Sequence, residues 1–318
     1  QPSLVISSEF HAWETANYAV PVSDFLNFGK IPLFENFPGH GLHGVISSIA
    51  YGLLTGDYYD AVFAPWLSWL YCPVCIIALY CFTKRIANGL IALCVSVLLP
   101  YFVLPFLNEF TSYSCIGWFA VLPFIIYLKT PRKKYLVLTV LISLFLVAYK
   151  LDIGTSFLFG ILCSSLFVSI FFRNRVIYRV LIYFAAGIAA IFTIFLLVCL
   201  MKDINPVSRI QEFLAITSSN DHWGYNSLGD REKNAYPLVF FIVPVLFAVC
   251  SFATVCFRKS LGTAGFALSV CMLSAYFFNI PRFLTLHSLR QYSDFFAAIW
   301  LWTMPFVLPF LISRLFAC

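Results

Sequence analysis

Charge is what this chain has least of. Of its 318 residues only 11% are Asp, Glu, Lys or Arg, against 61% hydrophobic, and the mean hydropathy is +0.89. An ordinary soluble domain needs far more polar surface than that, so composition excludes one. Several chemical signatures are missing as well: no Gly-rich nucleotide loop, no Gly-x-Ser-x-Gly elbow and no His-Glu-x-x-His zinc helix occurs. The period-two alternation of a membrane barrel is missing too.

What the chain has in abundance is long apolar runs. Nine of them, 61–82, 86–107, 112–128, 135–149, 154–172, 178–201, 238–257, 262–280 and 295–313, approach the length of about 20 residues that crosses a bilayer core as helix. The expected fold is therefore all-α, a polytopic transmembrane helical bundle. Residues 1–60 form an outer loop with interfacial helices, and 61–318 form a bundle of about nine helices with a further outer loop at 202–237.

The few charges are sorted. Lys84 and Arg85, Lys129 and Arg132 to Lys134, Arg173, Arg175 and Arg179, Arg258 and Lys259, and Arg314 occupy alternate connections, twelve basic residues with no acid among them. The other connections hold all fourteen acids, all five histidines and the remaining eight basic residues. By the positive-inside rule the first set is cytoplasmic and the second outward, giving a multi-pass protein of the cell membrane with residues 1–60 on the non-cytoplasmic side. An outward amino-terminal loop carries the expectation that a transmembrane helix precedes Gln1. The net charge of +6 then orients the chain in the membrane and does not point to nucleic acid. The eleven cysteines lie in or beside apolar runs, and Cys72-Pro73-Val74-Cys75 reads as two small hydrophobes within a helix.

Residues 1–60 concentrate the chemistry, with six of the acids and three of the histidines. A helix over 12–28 is expected, with Trp13, Tyr18, Val22, Phe25 and Phe28 as its apolar contacts, kinked by Pro21 and stopped by Gly29. The 16 residues of 41–56 are short and polar for a span and are expected to be interfacial or re-entrant. Further on, only Lys150 to Ile153 separate runs 135–149 and 154–172. The first of these covers only about 22 Å, which draws Lys150 and Asp152 below the outer surface. Charges at that depth need a partner or a water-filled cavity. Loop 202–237 reads as a lid or a solvated linker. Arg282, His287 and Arg290, at the outer entrance of the last run, are cations where the orientation rule disfavours them, which points to an anionic phosphate. The His40-Gly41-Leu42-His43 spacing suits a metal ligand pair, although its glycine weakens a helix there; no metal site is assigned, and a divalent cation stays an alternative to no cofactor.

An acidic cluster and a basic cluster on one face are the pair needed to move a sugar from a lipid phosphate: a carboxylate takes the acceptor's proton while cations steady the leaving phosphate. Ser8-Glu9-Phe10-His11, Gly29-Lys30-Ile31-Pro32-Leu33-Phe34-Glu35, Gly39-His40-Gly41 and Leu54-Thr55-Gly56 together resemble the first outer loop of bacterial polytopic glycosyltransferases of the GT-C type. The likeness touches about a fifth of the chain. It departs from the family pattern at Ser8, where an acid is common, at Leu33 for tyrosine, at Glu35 for aspartate and at Leu42 for proline.

The resemblance implies a polyprenyl-phosphate sugar donor in the membrane lipid, a glycan, lipid or protein acceptor, and a catalytic carboxylate in the first outer loop. By position that carboxylate is Glu9, with Glu14 as its substitute and His11 placed to orient Glu14. Glu35, His40, His43, Asp152, Arg282, His287 and Arg290 are the expected substrate-binding residues. Two other classes compete, a transporter or lipid flippase and a noncatalytic assembly subunit. The prolines at 100, 105, 244, 305 and 309 fall inside apolar runs without forming an internal repeat.

Overall fold

The computed structural model describes residues 9–36, 41–56, 109–219 and 254–285, with scattered single positions between 77 and 93 and between 245 and 252. The described residues form eight helices and no strand, apart from one isolated bridge between Pro32 and Asn36. In chain order these are α1 (Glu9–Phe28), α2 (Leu42–Thr55), α3 (Glu109–Lys129), α4 (Lys133–Tyr149), α5 (Leu151–Phe171), α6 (Val176–Met201), α7 (Pro206–Ser219) and α8 (Arg258–Thr285). Among the described residues two stretches, Ile153–Phe171 and Val176–Met201, are long and apolar enough to cross a membrane. Runs 61–82, 86–107 and 295–313 lie outside the described residues, as does most of 238–257.

Helix α5 is the hub, touching α3, α4, α6 and α8. Small residues where two helices meet let their backbones approach closely. That is the pattern here. A Cβ at Gly160 would sit 2.4 Å from the Cys271 carbonyl oxygen on α8, and one at Gly154 would sit 2.3 Å from the backbone of Leu146 and Val147 on α4. Beside the α5–α8 crossing, the Ser164 hydroxyl donates to the Ala267 carbonyl at 2.8 Å. Phe124, Phe157, Phe266, Ile125, Leu136 and Ile161 fill the core between these contacts. In contrast, α6 buries only Val180, Phe184 and Cys199 and leaves a long apolar flank exposed.

The helices gather their connections at two ends. At one end Arg179 donates to the Tyr127 hydroxyl at 3.4 Å, and the Arg258 guanidinium lies 5.1 Å from the centre of the Phe171 ring. Asn174 caps the start of α6 by accepting the Val176 N–H. The basic connections 129–134, 172–179 and 258–259 therefore share this end. At the other, the turn between α4 and α5 meets Gly41, and the far end of α6 meets the segment after α1.

Three boundaries differ from the sequence expectation. The link between α4 and α5 is a single extended residue, Lys150, so Asp152 belongs to the first turn of α5. Helix α8 begins with a separate turn, because Gly262 (φ 65°) breaks the helical backbone. Loop 202–237 contains α7, and a signal for it is present in the sequence. Asn205 accepts the N–H groups of Val207 (2.9 Å) and Ser208 (3.3 Å), and Pro206 occupies the first helical position, where a missing N–H costs nothing.

Candidate functional site

Helix α1 ends because Gly29 takes a left-handed conformation (φ 63°), its N–H bonding the Phe25 carbonyl at 3.1 Å. The chain then folds into a compact turn over 29–36. Leu33 and Asn36 pair through a 2.8 Å N–H to carbonyl bond, Glu35 N–H reaches the Ile31 carbonyl at 2.8 Å, and the Glu35 carboxylate accepts the Ile31 N–H at 2.7 Å. Asp24, one turn before the end of α1, accepts from Lys30 at 3.1 Å and from the Asn36 amide at 3.3 Å. The Gly-Lys-x-Pro stretch is thus tied internally by two carboxylates.

It is also fixed to the bundle. Lys202, just past α6, donates to the Gly29 carbonyl at 3.0 Å and stands 3.4 Å from the Glu35 carboxylate. Arg209, in α7, donates to the Phe34 carbonyl and pairs with Glu212. The Phe34 ring stacks on Phe195 of α6 with centroids 6.0 Å apart. Charge, backbone and ring contacts therefore all join the turn to the α6–α7 junction. Lys202 and Arg209 had no place among the residues expected from sequence, because nothing local ties them to partners more than 160 positions earlier.

The second stretch, around Gly41, meets the bundle at the α4–α5 turn. Gly41 (φ 68°) approaches so closely that a Cβ there would lie 2.7 Å from the Tyr149 carbonyl oxygen, which bars any larger residue. Helix α2 follows and ends at Gly56, within the limits expected from sequence. At 14 residues it covers about 21 Å, short of a bilayer core. It packs on α1 and α4, with Ala19, Val22, Val45 and Ser48 buried. Phe25 and Phe28, expected as apolar contacts of α1, are exposed, and Lys30 lies over the Phe28 ring at 5.8 Å. Lys150 is only 7% exposed.

The expected site residues distribute as follows. Glu9, His11 and Glu14 lie in α1, His43 in α2, Asp152 in the first turn of α5 and Arg282 in the last turn of α8; their side chains are outside the described residues. His40, His287 and Arg290 are wholly outside them. Phe171 meets Phe266, Gly160 meets Cys271 and Phe159 meets Phe278, so α5 and α8 run antiparallel. Continued, that register brings the backbone of Arg282 level with the first turn of α5, where Asp152 is. Glu35, the start of α2, Asp152 and Arg282 therefore share one end of the bundle. Glu9 stands a helix length, about 28 Å, from Phe28 along α1. Among the described residues no three His, Cys, Asp or Glu side chains gather as a metal site.

Compared with known proteins, the chain matches no family model, no curated protein and no solved structure.

The electrostatics of the turn yield a pH prediction. Hydrogen bonds from Lys30 and Asn36 hold the Asp24 carboxyl below its ordinary value. A depressed folded-state pKa means the contribution is present above the ordinary carboxylate value and is lost as pH falls through the lowered one. Backbone hydrogen exchange at Lys30 to Asn36 should therefore quicken, after correction for intrinsic rates, on acidification below the carboxylate range. The Asp24→Asn variant should exchange faster than wild type at neutral pH and show a smaller acid response. Equal protection in the two proteins at neutral pH would remove Asp24 from the account.

Proposed function

We propose that this chain is a multi-pass membrane glycosyltransferase of the GT-C type, active at the end of the bundle where the 29–36 turn is docked. A sugar carried on a polyprenyl phosphate would be passed to a glycan, lipid or protein acceptor on the non-cytoplasmic face. The acceptor oxygen bonds to the sugar's anomeric carbon as the carbon–phosphate oxygen bond breaks. A carboxylate from α1 takes the hydroxyl proton and cations hold the departing lipid phosphate. One observation carries this reading. Two of the four stretches that resemble the family's first outer loop, 29–35 and the one ending at Gly41, are both built into the same bundle end, opposite the basic connections.

Two measurements test it. Purified protein in liposomes should transfer sugar from a defined polyprenyl-phosphate donor, and lipid-linked transport without transfer would favour the flippase alternative instead. Sidedness is tested by single cysteines at Asn27 and Ser260, both exposed, in a cysteine-free background. A membrane-impermeant maleimide should label Asn27→Cys from outside intact cells and Ser260→Cys only after permeabilisation; labelling of both from one side would refute the orientation.

A further inference from the structure

The sequence reading places interfacial helices only in residues 1–60, yet α7 has the attributes of another. Helix α6 contains 26 residues, about 39 Å, against a hydrocarbon core of about 30 Å. With Arg175 and Arg179 at its first end, its last turn stands at or beyond the opposite boundary. There Leu200 and Met201 are 79% and 84% exposed, continuing the apolar flank of Leu196 and Leu197. The chain then turns sharply: Lys202 N–H bonds the Val198 carbonyl at 3.0 Å, Asp203 takes φ 54°, and Ile204 N–H bonds the Cys199 carbonyl at 2.8 Å. Asn205 starts α7 immediately.

Along α7 the residues at i, i+3 and i+7 are Val207, Ile210 and Leu214, exposed by 61%, 38% and 58%. Ser208 and Glu212 occupy other sides, Gln211 borders the stripe one turn after Val207, and Arg209 reaches toward the 29–36 turn. An amphipathic helix of this kind, joined to a spanning helix at the height of the bilayer boundary, has one medium beside its apolar stripe that matches both. We propose that α7 is a lipid-seated helix, with Val207, Ile210 and Leu214 resting in the acyl and headgroup boundary of the outer leaflet. Through Arg209 and Lys202 it then ties the docked turn to membrane depth. This rests on the membrane-spanning reading of α6, and continuity with that helix's exposed flank is what selects lipid as the occupant.

The test is nitroxide accessibility in the full chain reconstituted in phosphatidylcholine and phosphatidylglycerol vesicles. Single cysteines replace Val207, Ile210, Leu214, Ser208 and Glu212, with Leu197 as an internal reference. The oxygen-to-nickel-chelate collision ratio should be several-fold higher at 207, 210 and 214 than at 208 and 212, and high at 197. A ratio that is high at 197 but as low at 210 as at 212 overturns the lipid seat and leaves the spanning reading intact. A low ratio at 197 overturns both. Shielding of 207, 210 and 214 from both reagents, or spin–spin broadening between copies, assigns the face to protein and also overturns the proposal.

Discussion

Alanine in place of Gly160 or Gly154 is expected to destabilise the protein, whereas the same change at Gly265 is expected to be neutral or stabilising. The difference is in what the new methyl group meets. At Gly160 it meets the backbone carbonyl oxygen of Cys271, at 2.4 Å, and at Gly154 the backbone of Leu146 and Val147, at 2.3 Å. Backbone cannot rotate aside, so two helices must separate, and loss of packing along α5 follows. Overpacking of this kind costs roughly 1–3 kcal/mol, at times more. At Gly265 the first neighbour is the Leu261 side chain at 3.5 Å, an ordinary contact, and alanine favours helix over glycine by up to about 1 kcal/mol. Thermal unfolding in one detergent, followed by near-ultraviolet circular dichroism, gives the order. A Gly160→Ala protein as stable as wild type would mean that the α5–α8 crossing is looser than described.

The second large effect concerns chemistry. If α1 supplies the general base, replacing the right glutamate by glutamine should lower transfer by roughly 10²- to 10⁴-fold while leaving donor binding nearly unchanged. The helical backbone sharpens this, because α1 runs from Glu9 to Phe28 and fixes the angular order of its first residues. Three residues apart, His11 and Glu14 share a face, as an imidazole orienting a carboxylate requires. Five positions from Glu14, Glu9 lies on a different side. The two carboxylates are therefore not equivalent, and only one of Glu9→Gln and Glu14→Gln should lose turnover. If it is Glu14→Gln, then His11→Asn should lower transfer as well and shift its pH profile. Replacing Arg282 should instead weaken donor binding first, since a hydrogen bond to a charged group is worth about 1.5–3 kcal/mol. Full turnover by both glutamine variants would end the catalytic proposal for α1.

Local signals account for what could be read from sequence. Gly29 and Gly56 mark the ends of α1 and α2 because each ends its helix in the left-handed region, and runs 112–128, 135–149, 154–172 and 178–201 coincide with α3 to α6 within a few residues. Helix α7 was legible from Asn205-Pro206, but its mixed charge and modest hydropathy disguise it as linker. The attachment of the 29–36 turn was not legible. Lys202 and Arg209 resemble any solvated cations in a polar loop, and only the folded arrangement brings them to Gly29, Phe34 and Glu35. Likewise, the tie between Asp24 and Lys30 spans a glycine stop and depends on the reversal that Gly29 makes.

That attachment joins residues made at very different moments. Phe34 leaves the ribosome 175 residues before Arg209. At roughly 5–20 residues per second, that is an interval of roughly 10–35 s. Throughout it the turn has only its own bonds, from Asp24 and Glu35, to keep its shape. Closure of the first loop onto the bundle therefore has to be a late event, waiting on synthesis of α6 and α7.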